Sequence, residues 1–202
     1  EDVASSPVQF GQVSRPGDIK YKDLNHDGVI DSNDQAPIGY NPVPEMTFSL
    51  AAGLNWKGID FSILLQGAAR SSIYLQQDIA WDNFWGNYYE EHIGRWTPET
   101  AATATYPRFT KAATAAHPNY YKSDYWLKDS KYLRLKNIQL GYTIPRKLLK
   151  KFGVRSLRVY ANAYNLFTWD NVKKVDPESS NNSNGQFYPQ QKVINFGINL
   201  NF

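Results

Sequence analysis

One short stretch carries oxygen donors at a spacing that suits a metal. Asp23-Leu24-Asn25-His26-Asp27-Gly28-Val29-Ile30-Asp31-Ser32-Asn33-Asp34 places side-chain oxygens at the first, third, fifth, ninth and twelfth loop positions, with glycine at the sixth. Ca²⁺ is a hard ion that takes six to eight oxygens, and odd spacing lets one curled backbone present them. The expected metal set is Asp23, Asn25, Asp27, the Val29 carbonyl, Asp31 and Asp34, around a structural calcium ion. Gly28 permits the sharp turn and Ile30 tucks inward. Asp34 stands where such loops usually carry the longer Glu, and the flanks Gly17–Tyr21 and Ala36–Gly39 read as extended or turn-like, not helical. The alternative is an Asx-rich turn that holds itself together without an ion.

A second candidate is aromatic. Trp81, Phe84, Trp85, Tyr88, Tyr89 and Trp96 crowd one connection. Such rings stack on sugars, seat a partner protein or fill the loop's own core. Catalytic constellations are poor. His26, His92 and His117 lack metal-ligand spacing, and no glycine-rich phosphate loop or nucleophile elbow occurs. Asp78 with Asp82 reads as a solvated loop face, so the chain reads as no enzyme.

The 202 residues are 42% hydrophobic, 20% charged and 15% aromatic, with a net charge of +3. No cysteine is present, which excludes disulfides and thiolate chemistry. The densest basic run, Arg146-Lys147 with Lys150-Lys151, is too short for a nucleic-acid stripe, so no nucleic-acid partner is expected. Mean hydropathy is −0.56 and no run of about 18 apolar residues exists. A barrel would show none, because only alternate residues meet lipid. The first residues, Glu1-Asp2-Val3, carry neither Met nor a signal peptide, so a processed chain or a piece of a longer one is expected.

The elements that must position these residues are strands. Ile194, Phe196, Ile198, Leu200 and Phe202 alternate strictly with Asn195, Gly197, Asn199 and Asn201, which makes one oily and one amide-rich face. The same period marks strands at 45–56, 58–69, 131–145, 156–168 and 191–202. Lys57-Gly58 signals a two-residue turn, and Lys147–Gly153 reads as one or two helical turns ended by glycine. In the third strand, Arg134 and Lys136 point outward toward lipid phosphates, or a bulge switches phase and turns Leu133 and Leu135 outward. Residues 1–44 form an outer segment holding the acidic loop at 23–34. Short connections (57–58 and 145–156) fall on one side of the strands and long ones (70–130 and 169–191) on the other. The expected fold is all-β: about five strands of a large antiparallel transmembrane β-barrel with long extracellular loops. A soluble β-rich carbohydrate-binding module with structural calcium is the alternative.

A chain of motifs resembles the carboxyl-terminal part of a SusC/RagA-family TonB-dependent outer-membrane transporter. The motifs are Pro16–Asp31, Leu65-Gln66-Gly67, Arg95-Trp96-Thr97-Pro98, Tyr106-Pro107-Arg108, Tyr132–Tyr142, Tyr164–Thr168, Asp176-Pro177-Glu178 and the last strand. The resemblance implies an outer-membrane location and a 22-stranded barrel whose remaining strands and plug lie elsewhere. It also implies energy from TonB acting through that plug, a SusD-like surface lipoprotein as partner, and glycan or oligopeptide cargo. The strands here are then the barrel's carboxyl-terminal ones.

Overall fold

Alternation of apolar and polar side chains makes strands of these segments, because one face is then uniformly apolar. The computed structural model describes residue 3 and residues 5–82, 88–111, 117–173, 175–179 and 188–202. In chain order the strands are β1 (Val8–Gln9), β2 (Val29–Ile30), β3 (Met46–Trp56), β4 (Ile59–Ala69), β5 (Ser72–Tyr74), β6 (Leu127–Asp129), β7 (Tyr132–Thr143), β8 (Ser156–Asp170) and β9 (Val193–Asn201). One short helix, α1 (Arg146–Leu149), precedes β8. No described helix is long and apolar enough to cross a membrane, which says nothing of crossing by strands.

The chain divides into two units. One spans Tyr40–Ile73, Asp129–Ser180 and Phe187–Phe202 and is built on a five-stranded antiparallel sheet in the order β3-β4-β7-β8-β9. Its register lines up Leu54, Phe61, Leu140, Ala161 and Phe196 in one row. The neighbouring row is Gly53, Ser62, Gln139, Asn162 and Asn195. Apolar and polar rows therefore alternate over most of the sheet, with Leu64 and Val193 the exceptions in a polar-phase row. The apolar face is bare: Phe196 is 82% exposed and Ile198 69%. On that face the Phe48 ring lies over Gly67, where a β-carbon would come within 2.4 Å of it.

The third strand resolves its two options through a bulge. Leu64 pairs with Asn137 but Leu65 pairs with Leu135, so Lys136 is skipped and the phase switches. Leu133 and Leu135 join the apolar rows, while Arg134 falls into a polar row with Gln66 and Thr168. Of the two options the register takes the bulge, so Arg134 does not point outward. On β8 the matching irregularity falls at Asn165 and Leu166, with Asn165 in the left-handed region at φ +51°.

The short connections match their sequence signals. Lys57 (φ +48°) and Gly58 (φ +88°) both take positive φ, as a type I′ hairpin turn demands. A side chain on Gly58 would also press on the Thr143 carbonyl at 2.8 Å. After Pro145, α1 and a following 3₁₀ turn end at Gly153, φ +70°.

The other unit spans Glu1–Gly39, Tyr74–Lys128 and Asn181–Gln186. It contains the parallel pair β1–β2 and several 3₁₀ turns. The long connection is thus not structureless. It builds a core of its own around Trp81, Tyr106, Tyr120 and Trp126.

The bare face generates a test. Phe196 and Asn195 are adjacent and at the same depth, but they face opposite ways. If the apolar face meets lipid, Phe196→Arg costs about 2–4 kcal/mol and Asn195→Arg far less. Urea titration of the parent barrel refolded into vesicles reads the difference, and equal costs would refute the assigned faces.

Candidate functional site

The acidic loop is held by its own side chains. Asp23 Oδ1 accepts from the His26 N–H at 2.6 Å and its Oδ2 from the Gly28 N–H at 2.9 Å. Asn25 Oδ1 accepts from the Asp27 N–H at 3.0 Å, and Asp27 Oδ1 from the Val29 N–H at 2.9 Å. Asp34 closes the turn by accepting from the Leu24 N–H at 2.7 Å and the Asp31 N–H at 2.9 Å. Hydrogen bonds from the Asp31 and Leu24 amides hold the Asp34 carboxyl below its usual range. Gly28 sits at φ +83°, and Ile30, paired in β2, is buried as expected. The donor types suit a hard cation. Among the described residues no three His, Asp or Glu side chains gather closely enough to hold a metal. Asp27 Oδ2 is instead taken by the Asn25 amide at 2.9 Å.

The aromatic candidates separate by burial. Trp81 is 4% exposed and packs on Tyr120, with ring centroids 4.9 Å apart. Its ring is part of the loop's core, the third of the roles open to these rings. Trp96 is half-buried, and its ring lies over Gly17 so closely that a β-carbon there would sit 2.5 Å away. Tyr88 and Tyr89 remain exposed, while Phe84 and Trp85 fall outside the described residues. Ile93, absent from the sequence-based set, is also exposed.

Asp82 overturns its reading as a solvated carboxylate, for it is fully buried. Its Oδ1 accepts from the Tyr120 hydroxyl, and its Oδ2 from the Thr110 N–H at 3.2 Å. The Tyr106 hydroxyl lies 3.4 Å from Oδ1 and donates to the Ala80 carbonyl at 2.8 Å. Burial first, then the Asp82 charge, pushes the Tyr106 phenol far above its usual range, which keeps it a donor. His92 is buried beside them. Its Nδ1 accepts from the Tyr89 N–H at 3.0 Å, and Nε2 lies 3.2 Å from the Ala80 carbonyl. This is a satisfied structural histidine, not a ligand or a base.

The motif Pro16-Gly17-Asp18 is gripped by the same unit. Arg108 forms an ion pair with Asp18 at 2.7 Å, and the Asn119 amide reaches Asp18 at 3.0 Å. The Arg108 N–H donates to the Gly17 carbonyl at 2.8 Å.

Two polar clusters on the sheet went unread in the sequence. At the short-connection end, Arg158 Nε donates to Asp60 Oδ1 at 2.9 Å. The pair crosses Gly141, where a β-carbon would strike both side chains at 2.5 Å. The Tyr160 ring lies flat over Gly197 and under the Arg158 guanidinium, 4.7 Å away. At the other end, buried Arg134 donates to Asp176 Oδ1 at 2.8 Å and to Thr168 at 2.9 Å. Lys136 meets Glu178 at 2.9 Å. Asp-Pro-Glu is thus a tether that fixes the last long connection to β7. Burial pushes Asp176 upward. The Arg134 bond and the Glu178 and Gln190 amides outweigh it and hold the carboxyl below its usual range.

No protein-family model matches the chain. It is 30% identical over 219 residues to a TonB-dependent receptor of Formosa agariphila, covering 100% of this chain and 21% of the relative. It is 26% identical to the TonB-dependent receptor SusC of Bacteroides thetaiotaomicron, covering 96% of this chain and 18% of that protein. The chain thus spans about a fifth of the length of the curated relatives it matches. Its fold matches solved structures of the RagAB peptide importer. The closed-closed state gives a TM-score of 0.65 at 23% identity over 88% of this chain and 20% of that one. The open-open state gives 0.64 at 22% identity.

The tether predicts a pH response and a mutational one. A depressed Asp176 carboxyl contributes stability at neutral pH that is lost as pH falls through its folded pKa, below the usual carboxylate range. Asp176→Asn should cost about 3 kcal/mol, the low end for breaking a buried pair, since Glu178 still faces Arg134. Faster proteolysis of the 171–191 connection, with the strands intact, is the expected readout. In the loop core, Trp81→Ala should cost about 3–5 kcal/mol of local stability. The check is protection of the 74–128 segment from hydrogen exchange.

Proposed function

We infer, from the chain's fit to the carboxyl-terminal part of a SusC-like TonB-dependent transporter, that it supplies the last barrel strands and outer loops of an outer-membrane importer. The observation that carries this reading is the bare apolar face of a five-stranded antiparallel sheet whose other face is polar. A soluble protein rarely leaves so large an apolar surface uncovered. A soluble carbohydrate-binding module would need a second layer over Phe196 and Ile198, and the high exposure of both speaks against one. Strands β3 and β9 each pair on one side only among the described residues. In lipid both edges need partners, which further strands of the barrel would supply.

The cargo in this reading is a glycan or an oligopeptide. Peptide transport is what the name of the RagAB structures states of that importer. A SusD-like surface lipoprotein is the proposed partner on the side of the long connections, and TonB would act through a plug region. With Trp81 inside the loop core, exposed Tyr88 and Ile93 are the proposed contact residues. In the full-length transporter, Tyr88→Ala with Ile93→Ser should weaken co-purification of the lipoprotein and leave barrel assembly unchanged. Unchanged co-purification with lost uptake would assign these residues to cargo instead.

Calcium belongs to the same reading. Support comes from the donor types, their spacing and the preformed Asx turns at Asp23, Asn25 and Asp27. Asp27 would have to exchange its Asn25 contact for the ion. Calcium should protect residues 20–36 from proteolysis in the native chain and not in Asp27→Ala. Without protection in the native chain, the loop is a turn alone.

A further inference from the structure

The basic run at the short-connection end has no role in the reading above. Between Ile144 and Leu157 the chain carries Arg146, Lys147, Lys150, Lys151 and Arg155 and no acidic residue. All five are exposed, and among the described residues none has an ion-pair partner. The nearest acidic side chain along β4, Asp60, is already spent on Arg158. Two large apolar side chains stand out of the same segment: Leu148 is 64% exposed and Phe152 76%.

The segment is not a loose loop. Leu149 is buried, α1 packs on β8, and the Ile144 N–H donates to the Leu157 carbonyl at 2.8 Å. The Arg155 N–H donates to the Asn201 carbonyl at 2.8 Å. At this end the apolar rows finish with Trp56, Ile59 and Tyr142 on β3, β4 and β7 and, one apolar row farther out, with Leu157 and Leu200 on β8 and β9. Trp56 carries the Lys57 ammonium 4.8 Å from its ring centroid. Amphipathic rings at a strand end mark the level of a membrane interface. The cations and the two apolar side chains therefore follow directly on that level.

We propose that residues 144–157 form a docking surface for anionic phospholipid in the leaflet at the short-connection end, with Leu148 and Phe152 entering the acyl boundary and the five cations meeting headgroup phosphates. This rests on the barrel reading. Charge complementarity decides the occupant: five unpaired cations beside inserted apolar side chains suit an anionic lipid surface. A purely apolar partner would leave the cations without a counter-charge.

The test uses the full-length transporter in mild detergent, with native mass spectrometry counting retained phosphatidylglycerol and phosphatidylcholine. The native protein should hold phosphatidylglycerol in preference, and less so at high salt. Lys147→Gln with Lys150→Gln and Lys151→Gln should lower phosphatidylglycerol retention at least roughly tenfold and leave phosphatidylcholine unchanged, since each cation contributes roughly a fivefold preference. Leu148→Ser with Phe152→Ser should weaken both lipids. Lys131→Gln with Lys192→Gln, at the opposite end of the strands, should change neither. Equal retention of both lipids by the native protein, or an unaltered preference in the triple variant, overturns the proposal. Heat-modifiable gel mobility reports barrel assembly separately. A native protein that never assembles would overturn the barrel reading itself, and this proposal with it.

Discussion

A continuous antiparallel ladder is the constraint on which the larger unit depends. Strand pairs with strand so that apolar residues meet apolar ones in alternate rows, as from Leu54 on β3 to Phe196 on β9. A slip of one residue anywhere would turn a whole strand inside out, because the side-chain period is two. The hairpin at Lys57-Gly58 fixes one register through its two positive φ angles. Rows of matched amides, such as Asn195 on Asn162 at 3.0 Å, then complete the polar face.

The break in that ladder at Lys136 has a physical use. Skipping Lys136 places Arg134 among polar neighbours while keeping Leu133 and Leu135 on the apolar side. A buried guanidinium requires compensation. Asp176, Glu178 and Thr168 supply it, and in doing so they fix the connection that leads to β9. At the opposite end, glycine replaces bulk. Gly141 and Gly197 leave room for Arg158 and Tyr160 to lie flat against the backbone. Those two glycines are there for close packing, not for a turn.

The second unit solves a different problem. Its long connection has too little regular structure to satisfy its backbone by ladders, so side chains do the work. Buried Asp82 accepts from the Tyr120 hydroxyl and the Thr110 amide, and Gln9 and Asn119 receive the amides of Tyr21 and Ile19. The aromatic wealth of this segment is therefore largely interior. That limits any surface for a partner to the few rings left outside.

The sequence alone determined what is local. Period-two alternation, the Lys57-Gly58 turn and the glycine at the end of the Lys147–Gly153 turns each act within a few residues, so all five sheet strands and both short connections were legible there. The motif resemblance added the kind of barrel. Tertiary structure decided what joins distant residues. Asp60 meets Arg158 across 98 positions, Arg134 meets Asp176 across 42, and Asp82 meets Tyr120 across 38. No local pattern records such pairings. They follow from register and from which side chains a loop can bury. For the same reason Asp82 read as solvated in the sequence and proved buried, and Trp81, open there between contact and core, found its place only in the packed loop. A ring or a carboxylate has the same chemistry inside or out, and only its packed neighbours fix its place.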